Sequence, residues 1–461
     1  MSREKSRPIS KIMERESISI LDSAVGMLGD EFSELPSLPT ALRGRRRLEN
    51  VIREAVRRMK DNYPYFHPLY AGQMLKPPHP VARIAYMLSL WINPNNHALD
   101  GGRASSRMEK EAVANIARMF GWKTHVGHLT GGGTMANLEA LWVSGSLNPG
   151  KMIVASEQAH YTHSRISSVL GLKFRSVGCD GNGRMDLHAL EEILRTGGVG
   201  TVVATVGTTA VGSVDPLAEL IELRKKYGFR LHADAAYGGY FVLVNNLPAE
   251  TRRAYDLLTE VDSIVIDPHK HGLQPYGCGC VIFQDPTVAR FYKHDSPYTY
   301  FTSDELHLGE ISLECSRAGA SAVALWATEE LLPLVKEGEF AKSLSNCREA
   351  AVEFYRRLER DERFITAFQP ELDIVVWAPR AGSVTGASAL SRKLFNEAAK
   401  QNLHLALAEL PSSLFDFGAA GMKVDSETIT CLRSVLMKPE HKQWIGKIWG
   451  ILDRSARMVL K

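Results

Sequence analysis

From about residue 100 to residue 290 the chain alternates short β-rich apolar runs with segments of helical periodicity, and this alternation restricts the fold more than any other feature. Met152–Ala155, Lys173–Val177, Thr201–Val206, Arg230–Ala233, Ser263–Ile266 and Gly279–Phe283 read as strands, with Ala189–Leu194 and Pro216–Tyr227 as helices between them. Strand–helix alternation of this kind predicts βαβ units and a mainly parallel sheet. Val202-Val203-Ala204 and Ser263-Ile264-Val265-Ile266 show no polar alternation. Both faces of the sheet are therefore expected to be covered.

The flanks have a different texture. Ile9–Gly29 and Leu48–Met59 carry apolar positions at helical spacing, joined by Leu35-Pro36-Ser37-Leu38-Pro39-Thr40. Asn62 to His79 is rich in proline, histidine and aromatics, so it is expected to be irregular and packed onto something large. After Leu325 helical patterns dominate, notably Glu349–Leu358 and Ala387–Gln401. Leu372–Trp377 and Thr428–Met437 read there as strands of a smaller α+β domain. The expected division is an N-terminal arm and substrate-lining segment over 1–95, a large domain over 96–345 and a small domain over 346–461. No internal repeat or low-complexity tract is evident.

Composition narrows the function classes. The 461 residues hold 55 Lys+Arg against 52 Asp+Glu, a formal charge of +3, which removes the bulk electrostatic case for nucleic-acid binding. Arg43-Gly44-Arg45-Arg46-Arg47 reads as the solvated approach to the second helix. Six cysteines without scaffold spacing fit a reducing compartment, and Cys278 and Cys280 read as buried thiols rather than a metal pair. Met1–Asp30 lacks a secretory apolar core. The most apolar stretch, Val81–Trp91, is interrupted by Arg83 and falls short of the ~20 residues a membrane helix needs. These features predict a soluble, cytoplasmic protein.

Three features at predicted strand ends carry chemistry, because open α/β sheets place their ligands there. Thr130-Gly131-Gly132-Gly133-Thr134 precedes a strong helix former. Such a glycine turn lets backbone N–H groups approach an anion, although a plain turn would look the same. In His232-Ala233-Asp234-Ala235-Ala236-Tyr237-Gly238-Gly239 a carboxylate ends an apolar strand. It is costly to bury unless it meets a cation, and the small residues after it would admit a flat ligand. Asp267-Pro268-His269-Lys270 ends another core strand with a lysine, and a desolvated lysine amine is a nucleophile toward carbonyls. Read separately, a structural aspartate and a rim lysine are the competing explanations. Read together, an anion cradle, a carboxylate for a pyridinium nitrogen and an imine-forming lysine are the parts pyridoxal 5'-phosphate needs.

The sequence resembles the group II pyridoxal-phosphate-dependent amino acid decarboxylases, the family of glutamate, aromatic amino acid and tyrosine decarboxylases. The matching motifs are Ser156-Glu157-Gln158-Ala159-His160, Ala204-Thr205-Val206-Gly207-Thr208-Thr209, the Asp234 motif and the Lys270 motif. The resemblance runs from about His67 to Ala320 and implies fold type I: a mainly parallel seven-stranded sheet with helices on both faces, an N-terminal helical arm and a small C-terminal domain. It implies a homodimer with active sites at the interface.

It also implies roles by position. Lys270 would bind the cofactor covalently, Asp234 would pair with the pyridine nitrogen, His160 would stack on the ring, and Ala236 would pack on its other face. Gly132, Gly133 and Thr134 would hold the phosphate with help from His269, and Thr209 would lie near cofactor or substrate. Arg433 resembles an arginine that binds the substrate carboxylate, with an interdomain ion pair as the other reading. His67 and Gln73, near Tyr70, resemble a pocket-lining stretch. Tyr292–Gly309 corresponds to a closing loop in which Tyr298 or Tyr300 would protonate Cα after carbon dioxide leaves. Phe301 keeps oxidative aldehyde formation open, since relatives with Phe at the tyrosine position shift that way. The expected activity is decarboxylation of an L-amino acid to its amine. The alternatives are Cα–Cβ cleavage of the sphingosine-phosphate lyase type and a non-catalytic binding protein.

Overall fold

The computed structural model describes residues 15–36, 44–293 and 306–460. Seven strands form the main sheet: β1 (Val126–Thr130), β2 (Met152–Ser156), β3 (Lys173–Val177), β4 (Val199–Thr205), β5 (Arg230–Asp234), β6 (Ser263–Ile266) and β7 (Gly279–Phe283). Their order is β1-β7-β6-β5-β4-β2-β3. Every neighbouring pair is parallel except the two made by β7, which runs antiparallel to both β1 and β6. The sheet is thus mainly parallel, as the alternation predicts, and seven-stranded, as the family resemblance implies.

Every residue of β4, β6 and β7 is buried, which accounts for the lack of polar alternation along them. The helix that follows β1 lies against one face. Its Ala136, Ala140 and Val143 pack with Val265, Val281 and Phe283, and Leu141 packs with Ile153 and Val203. One strand was not anticipated. In β1, Gly127 and His128 interrupt the apolar run, yet His128 is buried with its Nε2 2.9 Å from the buried Glu139 carboxylate.

A second, antiparallel sheet belongs to the C-terminal part: β8 (Phe364–Thr366), β9 (Ile374–Pro379), β10 (Ala406–Pro411) and β11 (Thr428–Val435), in the order β10-β11-β9-β8. The expected Leu372–Trp377 and Thr428–Met437 strands are β9 and β11; β8 and β10 are additions. The helices Glu339–Glu359, Val384–Lys400 and His441–Val459 cover this sheet, with Phe354, Leu394 and Leu452 packed around Trp377. The aromatic segment before residue 80 docks here too. His404 N–H donates to the Leu69 carbonyl at 2.9 Å and Ala71 N–H to the His404 carbonyl at 2.9 Å. Lys438 Nζ donates to the Tyr70 and Leu75 carbonyls at 2.7 and 3.1 Å.

At the N-terminal end lie α1 (Glu16–Glu31) and α2 (Arg45–Met59), followed by α3 (Pro80–Ser89) and α4 (Arg103–Met119). Part of the expected Ile9–Gly29 helix, and Arg43 of the basic run, fall outside the described residues. Arg45–Arg47 form the first turn of α2 rather than its approach, and they are exposed. No residue of α2 is buried, although Leu48, Val51, Ile52, Val56 and Met59 recur at helical spacing. No helix among the described residues is long and apolar enough to cross a membrane.

Candidate active site

The ends of β1, β4, β5 and β6 open onto a cavity of about 550 Å³. β1 stops at Thr130, Gly131 and Gly132 turn the chain, and α5 (Gly133–Leu147) begins at once. Gly132 has φ +148°, a backbone state that side chains disfavour, so glycine is needed at the turn. Two more glycines allow close approach. A Cβ on Gly133 would lie 2.7 Å from Asp267 Oδ2, and one on Gly279 would lie 2.5 Å from the Gly132 carbonyl carbon. The unpaired N–H groups of the first turn of α5 face the cavity that Gly132, Gly133 and Thr134 line. The Gly131 N–H, just before the helix, donates to Glu314 Oε2 at 2.9 Å.

Asp234, the last residue of β5, is 4% exposed and lines the same cavity. Its Oδ1 accepts the Ala236 N–H at 3.2 Å, and its Oδ2 lies 2.8 Å from His163 Nε2. Burial opposes charge on this carboxyl. The His163 hydrogen bond, with His163, His232 and Lys270 close by, outweighs burial and holds it below the usual carboxylate range. His232 faces away, its Nδ1 and Nε2 at 2.8 and 2.9 Å from Ser263 Oγ and Asn137 Oδ1, and burial pulls its pKa down to about 3.

Lys270 follows β6 in the turn Asp267-Pro268-His269-Lys270, where its N–H donates to the Asp267 carbonyl at 2.9 Å. Its Nζ sits 3.1 Å from Asp267 Oδ2. Asp267 Oδ1 is buried without a hydrogen-bond partner among the described residues. The His269 ring packs on Tyr276 at 4.8 Å, and burial lowers its pKa. His160 lines the cavity with Nδ1 2.8 Å from Thr162 Oγ1, and burial lowers its pKa as well. Thr209 and Ala236 complete this wall.

The structure thus gathers Gly132, Gly133, Thr134, His160, Thr209, Asp234, Ala236, His269 and Lys270 around one space. Arg433 differs from its expected place. It is 4% exposed on β11, behind the cavity wall, and its guanidinium donates to the carbonyls of Ala210 (3.0 Å), Thr209 (2.6 Å) and Gly72 (3.3 Å) and to Gln73 Oε1 (3.1 Å). A substrate carboxylate would have to displace these acceptors to reach it. Gln73 is occupied by the same contact. His67 Nδ1 accepts the Leu69 N–H at 3.1 Å and its ring packs on Trp444 of the C-terminal helix, not on the cavity. Tyr298, Tyr300 and Phe301 lie outside the described residues. Two residues at this site were not singled out as functional from the sequence: Asp267, which sits inside the lysine motif, and His163, whose only mark is an i, i+3 repeat with His160.

A family model described as the pyridoxal-dependent decarboxylase conserved domain matches residues 134–379. The chain belongs to this family. Within it, the decarboxylase is 30% identical over 259 residues to a probable L-tyrosine/L-aspartate decarboxylase of Methanothermobacter thermautotrophicus, covering 56% of this chain and 69% of that protein. It is 26% identical over 470 residues to an L-tyrosine decarboxylase of Enterococcus faecium, covering 78% and 77%. Its fold matches a crystal structure of Oryza sativa TDC with PLP and tryptamine, with TM-score 0.76, 18% identity and coverage of 98% and 99%.

The site fits pyridoxal phosphate on its own terms. Its glycine cradle is a space any Cβ would fill, its buried carboxylate is held charged, and its lysine lies beside an unsatisfied carboxylate oxygen. The Gly279→Ala variant tests the cradle. Overpacking against the Gly132 backbone is expected to weaken pyridoxal phosphate binding about tenfold or more, as measured by titration of the apo-protein.

Proposed function

We propose that the protein removes the α-carboxylate of an L-amino acid, releasing carbon dioxide and the amine, at the cavity bounded by Lys270, Asp234 and the turn before α5. The observation that carries this reading is the placement of Lys270 Nζ, the buried Asp234 carboxylate and the helix N-terminus around one space.

Bound pyridoxal phosphate supplies a carbonyl that captures amines and a ring that accepts the electron pair freed when the Cα–carboxylate bond breaks. Every other task falls to the chain. Gly132, Gly133 and Thr134 would bind the phosphate through N–H groups at the α5 N-terminus, where the helix dipole favours an anion. His269 closes that end. Asp234 would face the ring nitrogen with a charge that the dry strand end does not screen. His160 and Ala236 would hold the ring between them. Asp267 Oδ2, 3.1 Å from Lys270 Nζ, is placed to take the proton the amine must lose before it can attack a carbonyl.

Arg433 would set the position of Thr209 by holding its carbonyl, and Gln73 and the segment carrying His67 would tie the small domain to that arginine. The proton that replaces carbon dioxide on Cα is assigned to Tyr298 or Tyr300. Holding the substrate so that its carboxylate is the group released would be the chain's positioning contribution to the rate.

The apolar stripe on α2 supports a homodimer. Leu48, Val51, Ile52, Val56 and Met59 are 44–68% exposed in the single chain, a contiguous face that a second copy would cover. The described cysteines are all free, in keeping with a reducing, cytoplasmic setting.

Incubation with a panel of L-amino acids is expected to release carbon dioxide and the matching amine from at least one of them. Lys270→Ala is expected to cut the rate by about 10³-fold or more, the scale of losing a covalent catalyst. His160→Ala is expected to cut it about 10²-fold, the scale of general acid–base and positioning groups. Absence of carbon dioxide from every amino acid, or full activity in Lys270→Ala, contradicts the reading. Light scattering is expected to give twice the 51.1 kDa chain mass for the wild type. The Val51→Asp/Val56→Asp double variant should shift it toward the monomer, and an unchanged mass contradicts an α2-mediated dimer.

A further inference from the structure

His163 has no part in the chemistry above, yet it is 1% exposed and meets the most consequential charge in the site. It lies in the first turn of α6 (Thr162–Val169), the helix between β2 and β3, and reaches across to the end of β5. Its Nε2 stands 2.8 Å from Asp234 Oδ2, while the Ala236 N–H holds Oδ1 at 3.2 Å. The carboxylate is thereby held at both oxygens, and it lines the cavity.

His163 Nδ1 is buried and has no hydrogen-bond partner among the described residues. The ring's hydrogen bond there is the one between Nε2 and Asp234 Oδ2. A donor so placed orients the carboxylate, whose charge can then meet a cation in the cavity.

From this geometry we infer that His163 is a positioning residue for the ring nitrogen of pyridoxal phosphate, holding Asp234 in orientation while leaving its negative charge to pair with the protonated ring. The inference rests on the cofactor site proposed above. Without His163, Asp234 loses its side-chain donor and a proton on the carboxyl becomes the cheaper way to satisfy the buried oxygen. The ring nitrogen then loses its counter-charge.

The test compares two ligands on apo-protein: pyridoxal phosphate and an analogue carrying CH in place of the ring nitrogen. In His163→Leu the dissociation constant for pyridoxal phosphate is expected to rise about tenfold or more, the scale of one hydrogen bond to a charged group. Affinity for the analogue should stay within about twofold, because it has no nitrogen to protonate. The visible spectrum of the bound cofactor should move toward that of an unprotonated ring. His163→Gln, whose amide nitrogen can stand where Nε2 stands, should restore spectrum and affinity to within about threefold. Equal losses for both ligands would show a merely structural role and overturn the inference, as would no loss for either. If His163→Leu apo-protein lacks the wild-type circular dichroism, the glutamine variant decides: wild-type discrimination between the ligands upholds the inference, and its loss overturns it. Wild-type protein that binds neither ligand overturns the cofactor site and the inference together.

Discussion

A carboxylate that stays charged where water is excluded organises this protein. Asp234 ends a strand at the centre of the main sheet, and an isolated anion there would cost several kcal/mol. The chain offsets that cost with donors fixed in advance: the Ala236 N–H on one oxygen and His163 Nε2 on the other. Neither donor removes the charge. What remains is an oriented negative potential aimed into the cavity, the feature a pyridinium ring can use and an ordinary structural aspartate would not retain.

The other parts follow from how closely backbone can approach backbone. β7 runs antiparallel between β1 and β6, bringing Gly279 against Gly132. The same pairing brings the lysine turn after β6 beside the N-terminus of α5, where Asp267 contacts the space above Gly133. Glycine turn, lysine and carboxylate are far apart in sequence and are brought together around one cavity by the sheet. Preorganisation of this kind lets the protein contribute orientation and electrostatics while the cofactor contributes the electron sink.

Much of this is legible in the sequence because the strands buried on both faces have little choice of residue. β4, β6 and β7 are buried throughout and carry apolar runs without polar alternation, and the chemistry sits at strand ends. β1 escaped notice because His128 lies against Glu139 inside the protein, a contact no local pattern reveals. His163 escaped for the same reason: its partner lies 71 residues away. Arg433 was legible as functional by position, but its guanidinium is spent on the carbonyls of Thr209, Ala210 and Gly72, acceptors that become neighbours only when the second sheet packs beside the first. Spacing finds groups at strand ends; it does not find the partners that tertiary packing supplies.

The claim most exposed to refutation is that Lys270 is where pyridoxal phosphate is attached. Borohydride reduction of the cofactor-loaded protein, followed by peptide mapping, reads that attachment directly. The account predicts one pyridoxyl-modified peptide per chain, with the modification on Lys270. A reduced cofactor found on another lysine, or on none, would contradict it.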